Sequence, residues 1–392
     1  MRAAIVRTIT LAITSPKLRA LRRQAAQLWR RTSGRAPQVH YFHQHDDPYS
    51  HLAAALLGTL QQKYAVEWIT HAVPAPEVSA APEAELLRAW SVRDAQRLAQ
   101  SLVLQKDTNK ASALAAPSQQ ALTEGQRLRK KWGHYLGATF YFEGEWYWGI
   151  DRLHYLEQRL LEMGLARVND SSALLVEPRA LQYASVGGFS EGSANKPVLH
   201  FYCSLRSPYT YLAAAQARAL AAHYGAELRL RFVLPMVMRG LPVPLSKRLY
   251  ILRDTKREAE RLGVPFGCVV DPVGKPVEQG LALLHHAADL GNGSALLESF
   301  LQGVFAEGVD AGSSVGLEHI ALRAGLTTSD IGAALADEGW RAVAEANRED
   351  MLARGIWGVP SFRVNDGPVL WGQDRLWMVE EDLISALHKN PG

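Results

Sequence analysis

The chain has 392 residues, 47% hydrophobic and 21% charged, the balance of a folded soluble protein long enough for two or three domains. Its net charge of +4 is uneven, because residues 1–45 hold nine Lys or Arg and no Asp or Glu, which leaves −5 for everything after them. That excludes a nucleic-acid footprint spread over the folded body; the spacing of the two cysteines, Cys203 and Cys268, excludes a disulfide framework, a zinc knuckle or a dithiol motif and predicts buried free thiols.

Residues 1–35 read as a basic amphipathic arm. Leu18, Leu21, Ala25, Leu28 and Trp29 share one helical face, with Arg19, Arg22, Arg23, Arg30 and Arg31 around them. The apolar stretch from Ile9 to Ile13 is too short to span a membrane, and no small-residue cleavage site follows a continuous apolar core, so a cytoplasmic protein is expected. The sequence leaves open whether the arm touches a membrane peripherally or packs on its own protein.

The next elements occur twice. His40-Tyr41-Phe42-His43-Gln44-His45-Asp46-Asp47-Pro48-Tyr49-Ser50-His51-Leu52-Ala53 aligns without a gap on His200-Phe201-Tyr202-Cys203-Ser204-Leu205-Arg206-Ser207-Pro208-Tyr209-Thr210-Tyr211-Leu212-Ala213. Each stretch reads as a strand running into an Ala- and Leu-rich helix. A second strand follows, Ala65 to His71 or Ala226 to Leu234, where Leu228, Leu230, Phe232 and Leu234 alternate with Arg229 and Arg231. Each copy ends in a short hairpin, with turns at Glu143-Gly144 and Asn365-Asp366-Gly367, and then in Trp148-Gly149-Ile150-Asp151-Arg152-Leu153 or Trp371-Gly372-Gln373-Asp374-Arg375-Leu376.

The expected fold class is therefore α/β, with two tandem thioredoxin-like domains at 36–165 and 197–392, each carrying an inserted helical subdomain. The insertion is longer in the second, at about 240–354. A linker is expected over 166–196, where Asn169-Asp170-Ser171-Ser172 and Gly187-Gly188 break the pattern.

From Phe201 to Ala213 and from Trp357 to Leu376 the chain resembles the 2-hydroxychromene-2-carboxylate isomerases and the kappa-class glutathione transferases, and 38–165 resembles them more faintly. The markers are Ser207-Pro208-Tyr209-Thr210-Tyr211-Leu212, then Gly263-Val264-Pro265-Phe266, then Trp357-Gly358-Val359-Pro360-Ser361-Phe362, then Trp371-Gly372-Gln373-Asp374-Arg375. Ser207 before Pro208 suits the first turn of a helix, a place that stabilises an anion. The resemblance implies that this anion is the thiolate of bound glutathione, accepting a hydrogen bond from Ser207. It further implies that Val359-Pro360 is a cis-proline loop presenting backbone to the cysteinyl part of glutathione. Gln373 and Asp374 would hold the γ-glutamyl end, and Lys247 the glycyl carboxylate. Two departures stand out: Val237-Met238-Arg239-Gly240 replaces the family's Gly-Asn ahead of the lysine, and Ser204 replaces the strand's usual Asp.

The implied activity is a glutathione-dependent isomerase acting on an unsaturated aromatic keto acid by reversible thiolate addition. Alternatives are a kappa-like glutathione transferase and a non-catalytic thioredoxin-fold binding or scaffold protein. Dithiol oxidoreduction is not expected, since residues 207–210 hold no cysteine. The first copy is expected to be silent, with Asp47 in the place of Ser207, Ala138 of Pro360 and Ile150 of Gln373. It is expected to act as the second copy's partner in an intramolecular pseudo-dimer, with homo-oligomerisation the other possibility. No metal is expected: His40, His43, His45 and His51 have no acidic or cysteine partner at ligand spacing.

Overall fold

The computed structural model describes residues 2–102, 116–167, 173–185 and 196–389. Asn169 to Ser172 and Gly187-Gly188 lie outside the described residues. The chain divides into two compact units, one of Pro16–Pro178 with Val243–Tyr250 and one of Met1–Ser15 with Arg179–Pro242 and Ile251–Gly392. The stretch read as one basic arm is thus shared out, α1 (Arg2–Thr14) going with the second unit and α2 (Pro16–Thr32) with the first.

In the first unit the chain runs β1 (Gln38–Gln44), α3 (Pro48–Lys63), β2 (Glu67–Val73), α4 (Ala84–Ser101), α5 (Gln119–Lys131), β3 (Thr139–Phe142), β4 (Glu145–Trp148) and α6 (Leu153–Glu162). The sheet order is β2-β1-β3-β4, with β1 parallel to β2 and antiparallel to β3. Glu143 and Gly144 both take positive φ in the β3–β4 turn, the conformation that a two-residue hairpin requires.

In the second unit the order is β5 (Val198–Cys203), α7 (Pro208–His223), β6 (Glu227–Phe232), then helices α8 (Leu245–Leu262), α9 (Lys275–Asp289), α10 (Gly293–Gln302), α11 (Ser314–Arg323), α12 (Thr328–Ala336) and α13 (Trp340–Ala353). The hairpin β7 (Ser361–Val364) and β8 (Leu370–Trp371) and the closing helix α14 (Leu376–Lys389) follow. This sheet has the order β6-β5-β7-β8 and the same strand directions as the first. Its core is aromatic on the central strands, where Phe201 stacks on Phe362 with ring centroids 4.9 Å apart, a pair worth about 1 kcal/mol beyond its buried area. The long insertion is helical as expected, but its first residues, 243–250, cluster with the first unit.

Particular bonds correspond between the units. His40 pairs with Tyr141 as His200 pairs with Arg363, so Ala138 and Pro360 occupy the same register position. The Ala138 carbonyl accepts the Gly149 N–H at 2.7 Å, and the Pro360 carbonyl accepts the Gly372 N–H at 2.9 Å. Tyr49 donates to Asp94 at 2.6 Å, and Tyr209 donates to Asp254 at 2.7 Å. Tyr64 and Tyr224 each donate at 2.8 Å to a buried glutamate on the closing helix, Glu157 and Glu380. These same glutamates accept the backbone N–H of Leu175 in one case and of Gln182 and Tyr183 in the other, so the described parts of the expected linker are docked chain. Of the two thiols expected to be buried, Cys203 is, and its thiol is pushed up by desolvation, whereas Cys268 is half-buried.

Candidate functional site

The site implied by the sequence lies where β5 gives way to α7. Ser207 caps α7 in an extended conformation with Pro208 at the first helical position, where its missing N–H has no intrahelical partner to lose. The Ser207 hydroxyl accepts the Thr210 N–H at 3.1 Å and donates to the Val359 carbonyl at 3.4 Å. Val359 and Pro360 are joined by a cis peptide bond just ahead of β7. No backbone acceptor takes the Val359 N–H among the described residues. A hydroxyl, a helix N-terminus and the loop entering β7 thus meet at one point.

Two glycines let the loop close up. A Cβ on Gly358 would stand 2.8 Å from the Trp371 indole nitrogen, and the Trp371 ring packs on Trp357 at 5.0 Å. Gly372 takes φ +103, a conformation L side chains rarely adopt, and its N–H ties the last turn to Pro360.

Gln373 is buried, and its amide nitrogen donates to Glu258 at 2.9 Å and also to Asp374. Glu258 is itself buried and accepts from Arg261 at 2.8 Å. One amide therefore bridges two carboxylates, one of which also pairs with Arg261. Glu258 was not among the sequence candidates. On α8 the run Asp254, Arg257, Glu258, Arg261 alternates in sign at helical spacing, which in sequence is indistinguishable from a solvated face.

Lys247 lies in the first unit. Its ammonium donates to the Ala80 carbonyl at 2.7 Å and lies 5.8 Å from the Tyr135 ring centre, all within the first unit. Burial holds it down at about 8. The reason for its place is local: 243–250 leaves the second unit before α8 continues into it.

The equivalent place in the first unit is closed by its own bonds. Asp47 caps α3, accepting the N–H groups of Tyr49 at 3.3 Å and Ser50 at 3.1 Å. The Ser50 hydroxyl donates to Asp47 at 2.8 Å while accepting the N–H of Gln44 at 3.1 Å and of Ala138 at 2.9 Å. Desolvation pushes the Asp47 carboxyl up to about 6, against the hydrogen bonds from Ser50 and Tyr49. Ile150, where the second unit has Gln373, is buried and apolar. In the second unit Pro360 has no N–H to offer, and the Thr210 hydroxyl, which corresponds to Ser50, is fully buried and has no partner among the described residues.

His40 and His43 are held down at about 4 by burial and by neighbouring histidines, His71 and His51 respectively. Among the described residues no group of three or more His, Cys, Asp or Glu is placed to hold a metal ion. No described helix is long and apolar enough to cross a membrane.

Residues 198–384 match the family model of the DSBA-like thioredoxin domain. No curated protein matches the chain. Among solved structures, 2-hydroxychromene-2-carboxylate isomerase is similar at 22% identity over 49% of this chain and 97% of its own, with a TM-score of 0.41. The cytosolic disulfide reductase DsbM from Pseudomonas aeruginosa is similar at 23% identity over 49% and 97%, with a TM-score of 0.39. A probable DsbA oxidoreductase from Streptomyces coelicolor is similar at 22% over 50% and 91%, with a TM-score of 0.39.

Proposed function

We propose that the second unit is a glutathione-dependent isomerase, and that the first is a degenerate tandem copy of it with no site of its own. The observation that carries the reading is the Ser207 hydroxyl, placed at the α7 N-terminus and within reach of Val359, in a motif without cysteine. With neither a thiol at 207 nor one at 210, this surface can stabilise a sulfur anion but cannot supply one, so a dithiol exchange reaction is not part of the proposal.

The residues present fit most of glutathione. The Val359 N–H is a donor that no backbone acceptor takes among the described residues, and the Thr210 hydroxyl stands where the first unit has Ser50, whose hydroxyl is spent on internal bonds. Gln373, Glu258 and Asp374 form an anionic corner for the γ-glutamyl ammonium. When bound, glutathione would supply a thiolate that adds to a conjugated carbon and later leaves, so that a double bond can rotate. Ser207 would turn its proton from the Val359 carbonyl toward the sulfur, and the first turn of α7 would add its positive end. An unsaturated aromatic keto acid is the proposed substrate.

One observation favours the non-catalytic reading, a thioredoxin-fold binding protein: Lys247 is committed elsewhere, which leaves the glycyl carboxylate without the lysine that the family resemblance assigns to it. Calorimetry of the full chain with glutathione separates the two. Saturable binding, followed by conversion of a cis keto acid to its trans isomer with glutathione recovered unchanged, supports the isomerase. Recovery of a stable thioether instead assigns a transferase, and absence of binding leaves the non-catalytic reading.

A further inference from the structure

Helix α2 is built inside out. Its arginines face its own protein: Arg23 makes a two-pronged bond to Glu145 at 2.7 and 2.8 Å, and Arg30 donates to Glu143 at 2.7 Å, both glutamates belonging to the β3–β4 hairpin. Leu21, Leu28 and Trp29 lie on the other side and are 58%, 64% and 59% exposed, and no residue of the helix is buried. A surface helix normally does the reverse, because burying apolar side chains is what holds it in place. Here ion pairs hold it, and about 25 cal/mol per Å² of apolar surface is left unclaimed.

At 100° per residue, Leu18, Leu21, Ala25, Leu28 and Trp29 form one arc, flanked by Arg22 on one side and by Lys17 and Arg31 on the other. Helix α1, in the other unit, shows the same inversion: Thr10 and Thr14 are buried, with Thr10 bonded to Val269, while Ile5, Ile9 and Leu11 are exposed.

We propose that the outward face of α2 lies on an anionic lipid bilayer, with the leucines and Trp29 at the acyl boundary and Lys17, Arg22 and Arg31 reaching up to headgroup phosphates. Charge selects this occupant. An apolar arc bordered by basic rows, with no acidic residue anywhere in α2, repels a second copy of itself brought face to face. It matches a surface that is apolar below and negative above, and Trp and long basic side chains suit that boundary.

The test is sedimentation of the full chain with vesicles of phosphatidylcholine and with vesicles in which phosphatidylglycerol replaces about a third of it. Binding is expected to the anionic vesicles, weakened by salt, and to be absent on the neutral ones. Leu21→Glu with Leu28→Glu, and separately Lys17→Gln with Arg22→Gln and Arg31→Gln, should each lower partitioning by about 10-fold or more. All five positions lie outside the buried core, so circular dichroism should be unchanged. Failure of the parent protein to bind anionic vesicles overturns the proposal, as does equal binding by both variants. A vesicle-free dimer that the glutamate variant dissociates would assign the face to a second copy and also overturn it.

Discussion

The Ser50 hydroxyl accepts the backbone N–H of Ala138 at 2.9 Å, a donor that the second unit lacks because Pro360 stands at that register position. The same oxygen holds Gln44 and Asp47, so one side chain joins strand end, helix cap and hairpin approach. Ser50→Ala strands two backbone donors and removes a bond to a carboxylate, at a cost of about 3 kcal/mol or more. Hydrogen exchange at the Gln44 and Ala138 amides should accelerate far more than in the rest of the sheet. Unchanged protection there would show that the hydroxyl is dispensable.

Asp47 gives the first unit a pH dependence of known sign. Its carboxyl sits at about 6 in the fold against an unperturbed 3.8, so the native state binds its proton more tightly than the unfolded chain does. Stability from this group is present below the unfolded value and is lost as pH rises toward about 6. Relative to Asp47→Asn, the parent protein should lose up to about 3 kcal/mol between pH 4 and pH 7. His40 and His43, lowered to about 4, act in the opposite direction in both proteins and drop out of the difference. A difference that is flat with pH in paired denaturation curves would refute this.

Lys247→Met should leave glutathione affinity unchanged, because the ammonium belongs to the first unit's packing. The charged form is disfavoured where it is buried, so the parent protein gains stability as pH rises from about 8 toward its ordinary 10.5, and the variant should lack that rise. A tenfold loss of glutathione binding would return Lys247 to the role first expected of it.

Asp374→Asn should weaken glutathione by about 10- to 100-fold, the worth of a charge-assisted bond. With a glutathione analogue lacking the γ-glutamyl amine, the same substitution should cost little. That double difference identifies the ammonium as the partner, and equal losses for both ligands would point to mere collapse of the Gln373 bridge.

Ser207→Ala tests the chemistry. Without help the thiol of glutathione ionises near 8.5 or above, so only a few per cent is thiolate at neutral pH. A bond from Ser207 worth about 1.5 to 3 kcal/mol would lower this by about one to two units. The variant should keep most of its affinity, show a bound thiol titrating that much higher at 240 nm, and lose about 10- to 100-fold in turnover at pH 7 with partial recovery in alkali. An unmoved titration would transfer the role to the α7 dipole or another donor.

Local pattern alone determined the strand-to-helix motif with its Ser207 and Asp47 caps, the two hairpins and the position of the helical insertion. Period-two alternation, proline at a helix start and positive-φ turn residues each act within a few residues. The equivalence of Ala138 with Pro360 was legible because each lies just ahead of a hairpin that ends in Trp-Gly, and the strand registers agree with it. Tertiary structure alone decided the rest. Lys247 and Glu258 share one helix, yet the first packs in one unit and the second lies beneath Gln373 in the other, because the division between units falls inside α8. The orientation of α2 was equally hidden. An amphipathic sequence states that a helix has two faces, but which face meets the protein depends on what stands opposite, and here Glu143 and Glu145 drew in the arginines.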